Sequence, residues 1–304
     1  MTCYYPITAY RGHENEQGKR PLVFSAKESV APDAPLEIAC GQCWGCRLER
    51  SRVWAMRCMH ESQMHEDNCF ITLTFNNESL FARENPGSVD VRDFQLFMKR
   101  LRKVRHEKIR YFHCGEYGEK FSRPHYHAIL FNCDFPDKVL HSVINDNRLY
   151  TSAELDNLWG FGFASIGECT FESAAYVARY CMKKINGDLA EDHYQWVDEE
   201  TGELRSKNPE YSTMSRRPGI GKKWFDKYWT DIYPKDYITV NGVKCRPGKY
   251  YDGQLEITRP YEHEIIKQNR EEVIRTSEKE DFERLLVKEQ CHKARITKLY
   301  RKLD

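Results

Sequence analysis

Residues 109–132 run Ile-Arg-Tyr-Phe-His-Cys-Gly-Glu-Tyr-Gly-Glu-Lys-Phe-Ser-Arg-Pro-His-Tyr-His-Ala-Ile-Leu-Phe-Asn. Two strand-like segments flank a turn region between residues 115 and 124 that contains Gly, Ser and Pro. This pattern predicts a β-hairpin. Because successive side chains of a strand point to opposite faces, His125 and His127 share one face of the second strand.

A metal site is predicted on this hairpin. In an antiparallel pair, Glu116 of the first strand returns close to His125 of the second. The two histidines, about 7 Å apart along the strand, can converge with the carboxylate on one ion and leave positions open for water or substrate. A His-x-His pair on a strand also occurs without a metal, and Glu119 in the same turn is an alternative carboxylate.

A second element, residues 172–184, is rich in Ala, Met, Lys and Arg and is predicted to be helical, with Ser173 as its cap. Tyr176 and Tyr180 are four residues apart, so their side chains project from one helical face, and Lys183 and Lys184 follow within a turn. Such a tyrosine can attack a phosphodiester when a metal and a lysine assist, because its ordinary pKa near 10 makes it a poor nucleophile alone. The alternative is that both tyrosines belong to the core.

Three segments, Phe-Ile-Thr-Leu-Thr-Phe (70–75), Arg-Pro-His-Tyr-His-Ala (123–128) and Tyr-x-x-x-Tyr-x-x-Lys (176–183), occur in the order of the HUH endonuclease motifs. The chain resembles two-tyrosine rolling-circle replication initiators of microviruses, in particular their gokushovirus branch, over residues 40–230. The resemblance implies an α+β fold with an RRM-like core, in which a central antiparallel sheet with flanking helices carries the histidines beside the tyrosine helix.

The resemblance also implies an activity. His125, His127 and Glu116 match ligands of a catalytic Mg²⁺ or Mn²⁺ ion, Tyr176 and Tyr180 match the nucleophiles, and Lys183 matches the motif lysine. Such an enzyme nicks origin DNA, forms a 5′-phosphotyrosyl intermediate, and later rejoins the strand as a single-stranded circle. The implied partners are single-stranded and origin DNA, a host helicase and a DNA polymerase, in the cytoplasm of a bacterial host.

The composition permits a folded protein that contacts DNA through local patches. The chain has 304 residues, 40% hydrophobic and 31% charged, which argues against wholesale disorder, and a net charge of only +1. It contains neither an apolar run long enough to cross a membrane nor a signal peptide at its first residues, so no membrane partner is expected. The predicted DNA-binding cations are Arg100, Arg102, Lys103, Arg105, Arg123, Arg216, Arg217, Lys222 and Lys223.

Cys40, Cys43 and Cys46 form two overlapping Cys-x-x-Cys steps, which place three thiolates within reach of one structural Zn²⁺. Cys3 is the natural fourth ligand, because no other cysteine precedes residue 58. An iron–sulfur cluster, a redox pair formed by Cys43 and Cys46, and unliganded thiols are the alternatives.

Three parts are expected along the chain: an N-terminal arm with the zinc site (1–46), the endonuclease domain (47–235), and a C-terminal extension with a hairpin and charged helices (236–304). Within them we predict helices at 47–66 and 91–107, and a helix–turn–helix over 134–158. Arg57 is a candidate phosphate contact, and His60 is expected at the surface.

Two other functions fit parts of the sequence. Two histidines and a carboxylate also form the Fe(II) site of oxygenases, a chemistry that needs neither tyrosine. A zinc-containing DNA-binding protein without catalysis would need neither histidine. No nucleotide-binding Gly-x-x-x-x-Gly-Lys loop is present, so a fused helicase is not expected.

Overall fold

The computed structural model describes residues 3–16, 18–118, 121–144, 147–180, 189–197, 202–276 and 281–300. The strands are β1 (Ile7–Arg11), β2 (Leu22–Val23), β3 (Leu36–Ile38), β4 (Asn68–Phe75), β5 (Arg110–Tyr117), β6 (Pro124–Phe131), β7 (Val139–Ile144), β8 (Asn147–Thr151), β9 (Gly162–Glu168), β10 (Gln195–Val197), β11 (Leu204–Ser206), β12 (Tyr211–Met214), β13 (Ile238–Val240) and β14 (Val243–Cys245). The helices are α1 (Trp44–Ser62), α2 (Asn77–Phe81), α3 (Val91–Val104), α4 (Ala153–Trp159), α5 (Phe171–Tyr180), α6 (Leu189–His193), α7 (Lys222–Ile232), α8 (Lys249–Thr258), α9 (Pro260–Thr276) and α10 (Phe282–Tyr300).

The chain divides into two compact units. The terminal unit comprises residues 1–50 and 276–304, and it contains a three-stranded sheet in the order β2-β1-β3 together with α10. The central unit comprises residues 51–275. Among the described helices, none combines the length and the apolar character that crossing a bilayer requires.

A seven-stranded sheet organises the central unit, in the order β12-β5-β6-β4-β9-β8-β7. Each of its pairings is antiparallel. The predicted hairpin is present as β5 and β6, and the predicted strand β4 lies at the centre. The α+β prediction, with a central antiparallel sheet and flanking helices, is therefore confirmed.

One face of the sheet packs on α3 and α4. Alternate residues of β4 point to this face, among them the fully buried Ile71 and Leu73. Phe94 and Phe97 of α3 and Trp159 of α4 cover them. The helix α3 begins where Asp90 caps it, its side chain accepting a hydrogen bond from the Arg92 amide at 2.8 Å.

The opposite face packs on α1 and α5. Phe112 of β5 and Ile129 of β6 are completely buried here against Ala55 of α1 and Val177 of α5. The hydroxyl of Ser51 donates to the Ala175 carbonyl at 2.9 Å and joins the two helices. The histidine-bearing strand thus has a buried core on each side.

A third cluster, around α7, α8 and α9, corrects two sequence-based expectations. His60 is buried, not exposed, and stacks on Trp224 with ring centroids 3.5 Å apart. This burial lowers the His60 pKa to about 3. Arg57, a candidate phosphate contact, is also buried and donates both its Nε and its Nη2 hydrogens to the Ile220 carbonyl. The partners of both residues lie far along the sequence, beyond the reach of a helical pattern.

The first helix predicted within 134–158 is also wrong. The segment forms the β7–β8 hairpin, and only the second helix, α4, is present, with Ser152 as its cap. Val139, Val143 and Ile144 are exposed β-branched residues that favour an edge strand. Pairing of Tyr150 with Ile166 attaches this hairpin to the sheet.

Candidate active site

The register of the β5–β6 hairpin assembles the predicted ligand set. Glu116 pairs directly with His125, and Cys114 pairs with His127, so all three predicted ligands lie on the α5 face of adjacent strands. The predicted ligand atoms of Glu116, His125 and His127 lie within 4.8 Å of one another. Glu119, the alternative carboxylate, lies outside the described residues.

The two imidazoles meet at one carboxylate oxygen. Nε2 of His125 lies 2.8 Å from Oε1 of Glu116, and Nε2 of His127 lies 2.9 Å from the same oxygen. Glu116 is 1% exposed, and its other oxygen, Oε2, has no hydrogen-bond donor among the described residues. A buried carboxylate in this state calls for a positive charge.

Hydrogen bonds on the far side of each imidazole ring orient it. Nδ1 of His125 lies 3.0 Å from the Arg123 carbonyl, and Nδ1 of His127 lies 2.9 Å from the Thr72 hydroxyl. Because a carbonyl only accepts, Nδ1 of His125 carries the proton, and Nε2 of the neutral ring presents a lone pair to Glu116. Two acceptors at that distance repel each other unless a proton or a cation separates them, so the three side chains fit a bound cation.

The donor set leaves the identity of the ion open. Imidazole nitrogen suits Zn²⁺, Fe²⁺ and related ions, whereas carboxylate oxygen also suits Mg²⁺ and Mn²⁺. Three protein ligands on two adjacent strands leave coordination positions for water or a phosphate oxygen.

Tyr176 lies next to this cluster. Its ring is 5.1 Å from the His127 ring and nearly perpendicular to it, and it also makes an edge contact with Phe70 of β4. The helix that carries Tyr176 begins before Ser173, the expected cap. Thr170 and Ser173 cap α5 reciprocally, each side-chain oxygen accepting from the backbone amide of the other at 3.1 and 2.9 Å, so Ser173 lies inside the first turn.

The remaining predicted catalytic groups cannot be placed. The helix α5 ends at Tyr180, but the Tyr180 side chain and Lys183 lie outside the described residues.

Four of the nine predicted DNA-binding cations line one groove of about 810 Å³. Arg102 and Arg105 reach it from the end of α3, and the exposed Arg216 and Arg217 reach it from the loop that follows β12. In all, six of its lining residues are Lys or Arg and one is Glu. The groove includes the first residue of β5, which is about 20 Å along that strand from Glu116.

The other five predicted cations are dispersed. Arg123 precedes the histidine strand and donates to the Phe75 carbonyl at 2.6 Å. Arg100 donates to the carbonyls of Leu158 and Trp159, which ties α3 to α4. Lys222 pairs with Asp226 within α7, while Lys103 and Lys223 are exposed.

Sequence analysis missed two features near the site. Thr72 was quoted only as part of a motif, yet its hydroxyl contacts His127. The signal was available, because Thr72 and Thr74 alternate along β4 and pair with His127 and His125. The buried ion pair of Arg110 with Glu61, between β5 and α1, left no sequence signal.

The four predicted zinc ligands also come together. Cys3, Cys40, Cys43 and Cys46 place their sulfur atoms within 4.8 Å of one another in the terminal unit.

Comparison with known proteins places the chain in a family. Residues 68–185 match the family model described as replication-associated protein ORF2. The chain is 33% identical over 270 residues to the replication-associated protein VP4 of Bdellovibrio phage phiMH2K, which covers 86% of this chain and 79% of that relative. It is 35% identical over 254 residues to the replication-associated protein ORF2 of Spiroplasma virus 4, which covers 78% and 73%. No solved structure matches the chain. These matches confirm the resemblance to microvirus rolling-circle initiators, and the chain belongs to the family of phage replication-associated proteins.

Proposed function

We propose that this replication-associated protein is a metal-dependent DNA nicking and joining enzyme that starts rolling-circle replication. The observation that carries the proposal is the position of Tyr176, whose ring lies 5.1 Å from that of His127 in the Glu116, His125 and His127 cluster. A phenol next to a cation site that still has open positions suits attack on a phosphodiester.

Glu116, His125 and His127 would hold the divalent cation. When bound, Mg²⁺ or Mn²⁺ supplies polarisation of a phosphoryl oxygen and offsets its charge. The burial of Glu116 keeps its charge poorly screened by water, so the carboxylate attracts the ion strongly. Thr72 and the Arg123 carbonyl hold the two imidazoles in orientation.

Tyr176 would perform the cut. Its phenolic oxygen forms a bond to the scissile phosphorus while the bond from phosphorus to the 3′-oxygen breaks. The phenol loses its proton to solvent, and the departing oxygen gains one to become a free 3′-OH. The product is a 5′-phosphotyrosyl link that preserves the energy of the phosphodiester, so the joining reaction needs no nucleoside triphosphate.

Tyr180 would act as the second nucleophile. It follows Tyr176 by four positions in the same helix, a spacing that places two side chains on one helical face. After one round of copying, the second tyrosine attacks the regenerated origin. The released 3′-OH then resolves the first link and closes the circle.

A covalent-adduct assay tests this proposal. The full-length protein is incubated with labelled single-stranded origin DNA from its own genome and Mn²⁺, and the products are separated on a denaturing protein gel. We expect an adduct that EDTA abolishes, because the cation is required at the phosphate. Each single change, Tyr176→Phe or Tyr180→Phe, should retain an adduct, and the double change should lose it.

The control is Tyr261→Phe, which removes the hydroxyl of an exposed tyrosine on α9 and should leave the adduct unchanged. Loss of the adduct in only one single variant would identify a lone nucleophile and reject the two-tyrosine scheme. Absence of an adduct from folded protein that binds DNA would reject the enzyme and favour a binding protein. A metal-dependent reaction that survives the double change would favour the oxygenase chemistry.

The groove lined by Arg102, Arg105, Arg216 and Arg217 would contact the DNA backbone away from the cut. Arg105 is already paired with Glu154 at 2.7 Å, whereas Arg216 and Arg217 are exposed. Exposed guanidinium groups along a groove suit phosphate contacts that do not depend on base sequence. This assignment puts binding and chemistry at separate positions of the central unit.

Replacing both Arg216 and Arg217 by Ala should therefore weaken DNA binding without impairing the chemistry. Loss of two phosphate contacts should lower the slope of log affinity against log salt by about 1.4 on single-stranded DNA. Fluorescence anisotropy at several salt concentrations measures this slope. Adduct formation at saturating DNA should stay at the unmodified level.

The matched control replaces Arg92 and Arg148, two exposed arginines outside the groove, and should leave the salt slope unchanged. An unaltered slope in the Arg216 and Arg217 variant would remove the groove from the DNA path.

A further inference from the structure

The cysteine cluster of the terminal unit has the dimensions of a single-ion site. Sγ of Cys40 and Sγ of Cys46 are 4.0 Å apart, and the four sulfur atoms lie within 4.8 Å of one another. A tetrahedral zinc ion with Zn–S bonds of about 2.3 Å requires sulfur separations of about 3.8 Å. Small side-chain adjustments therefore suffice, whereas a cluster that encloses several iron atoms needs a wider cage.

The surrounding backbone is arranged for thiolates. The Cys40 amide donates to Sγ of Cys3 at 3.3 Å, and the Cys43 amide donates to Sγ of Cys40 at 3.3 Å. Such donors orient metal-bound sulfur and stabilise its negative charge. Cys46 lies in the first turn of α1, where the helix dipole favours an anion.

Cys3 differs from the other three because it is 37 residues away from Cys40 and is buried. An ion that binds Cys3 closes this long loop and fixes the start of the described chain. Metal binding of this kind contributes directly to the free energy of folding, because the site does not exist in the unfolded chain.

The two residues after Cys3 contact the C-terminal helix α10 within the same unit. The hydroxyl of Tyr4, a residue that is 2% exposed, lies 2.5 Å from Nδ1 of His292. The hydroxyl of Tyr5 donates to Oε2 of Glu289 at 2.8 Å. Both contacts depend on the position of a segment that begins at a cysteine of the cluster.

We propose that Cys3, Cys40, Cys43 and Cys46 bind one structural Zn²⁺, and that this ion holds α10 in place by fixing the segment that carries Tyr4 and Tyr5. Zinc here is a clamp between the two ends of the chain within the terminal unit. The proposal does not depend on the nicking activity, because its readouts are metal content and local protection.

Metal analysis of the purified full-length protein tests the first part. We expect about one zinc ion per chain, and its replacement by Co²⁺ should give the visible absorption of a tetrahedral thiolate site. Cys40→Ser and Cys46→Ser should lose the metal. Cys245→Ser, in β14 of the central unit, is the matched control and should retain it.

Hydrogen–deuterium exchange tests the clamp. Removal of zinc from the unmodified protein with a chelator should accelerate amide exchange in α10 by at least about tenfold, and added Zn²⁺ should restore protection. Tyr4→Phe should retain zinc but also accelerate exchange in α10. This pair of measurements does not require a cysteine variant to fold.

Several outcomes would overturn the proposal. Iron–sulfur absorption or a disulfide in the purified protein would reject the zinc site. Full zinc binding by Cys3→Ser would remove Cys3 from the ligand set and with it the clamp. Unchanged exchange in α10 after zinc removal would show that the ion acts on the N-terminal segment alone.

Discussion

Glu116→Gln is expected to reduce metal-dependent nicking by at least about 100-fold. The amide keeps the shape of the side chain but removes the negative charge that balances the cation. It also places an NH₂ group at one of the two positions where the carboxylate has oxygen atoms, so one ligand position is lost or must rotate away. Adduct yield over a range of Mn²⁺ concentrations measures the effect, and higher Mn²⁺ should restore part of the activity.

The matched control is Glu210→Gln. Glu210 is also buried and accepts a hydrogen bond from the Tyr194 hydroxyl at 2.6 Å, a contact that Gln can retain. This variant should nick DNA at the unmodified rate. Full activity of Glu116→Gln at low Mn²⁺ would mean that the carboxylate is not a ligand, and Glu119 would then be the next candidate.

Arg110→Ala is expected to lower the free energy of unfolding by about 3–5 kcal/mol. The Arg110 and Glu61 side chains form an ion pair in which they are 3% and 1% exposed. Glu61 also accepts a hydrogen bond from the Gly221 amide at 2.7 Å, and Arg110 donates to the Pro218 carbonyl at 2.8 Å. The pair thus joins α1, β5 and the loop before α7, and truncation leaves a buried carboxylate without its partner.

Equilibrium unfolding in urea measures this loss, with Arg148→Ala at an exposed arginine as the control within about 0.5 kcal/mol of the unmodified protein. A second variant with both Arg110→Met and Glu61→Leu should be more stable than Arg110→Ala, because neither charge remains buried alone. A loss below about 1 kcal/mol for Arg110→Ala would show that water reaches the site.

The hairpin and its ligand geometry could be predicted because they are local. Glu116 and His125 are nine residues apart, and strand alternation with antiparallel return brings them face to face. The same holds for β4, whose β-branched and aromatic run occupies the centre of the sheet. Short-range rules of this kind need no knowledge of distant packing.

The missed features depend on distant partners. His60 looked like a surface residue because Trp224 and Tyr251, which enclose it, lie on other helices far along the chain. The β7–β8 hairpin gains its place in the sheet from β9, a partner that no local propensity reveals. For the same reason the mate of Arg110 could not be named in advance.

The β6 strand carries its chemistry and its hydrophobic anchor on the same face. Ile129 and Phe131 continue the every-second-residue pattern of the two histidines and are completely buried. Sliding the strand by one position would turn both histidines towards α3 and expose these two side chains, at about 1.5–3 kcal/mol for each. Oily residues that never meet DNA therefore act as the alignment pins of the ligand set. Evolution can change the substrate loops freely as long as those pins stay seated.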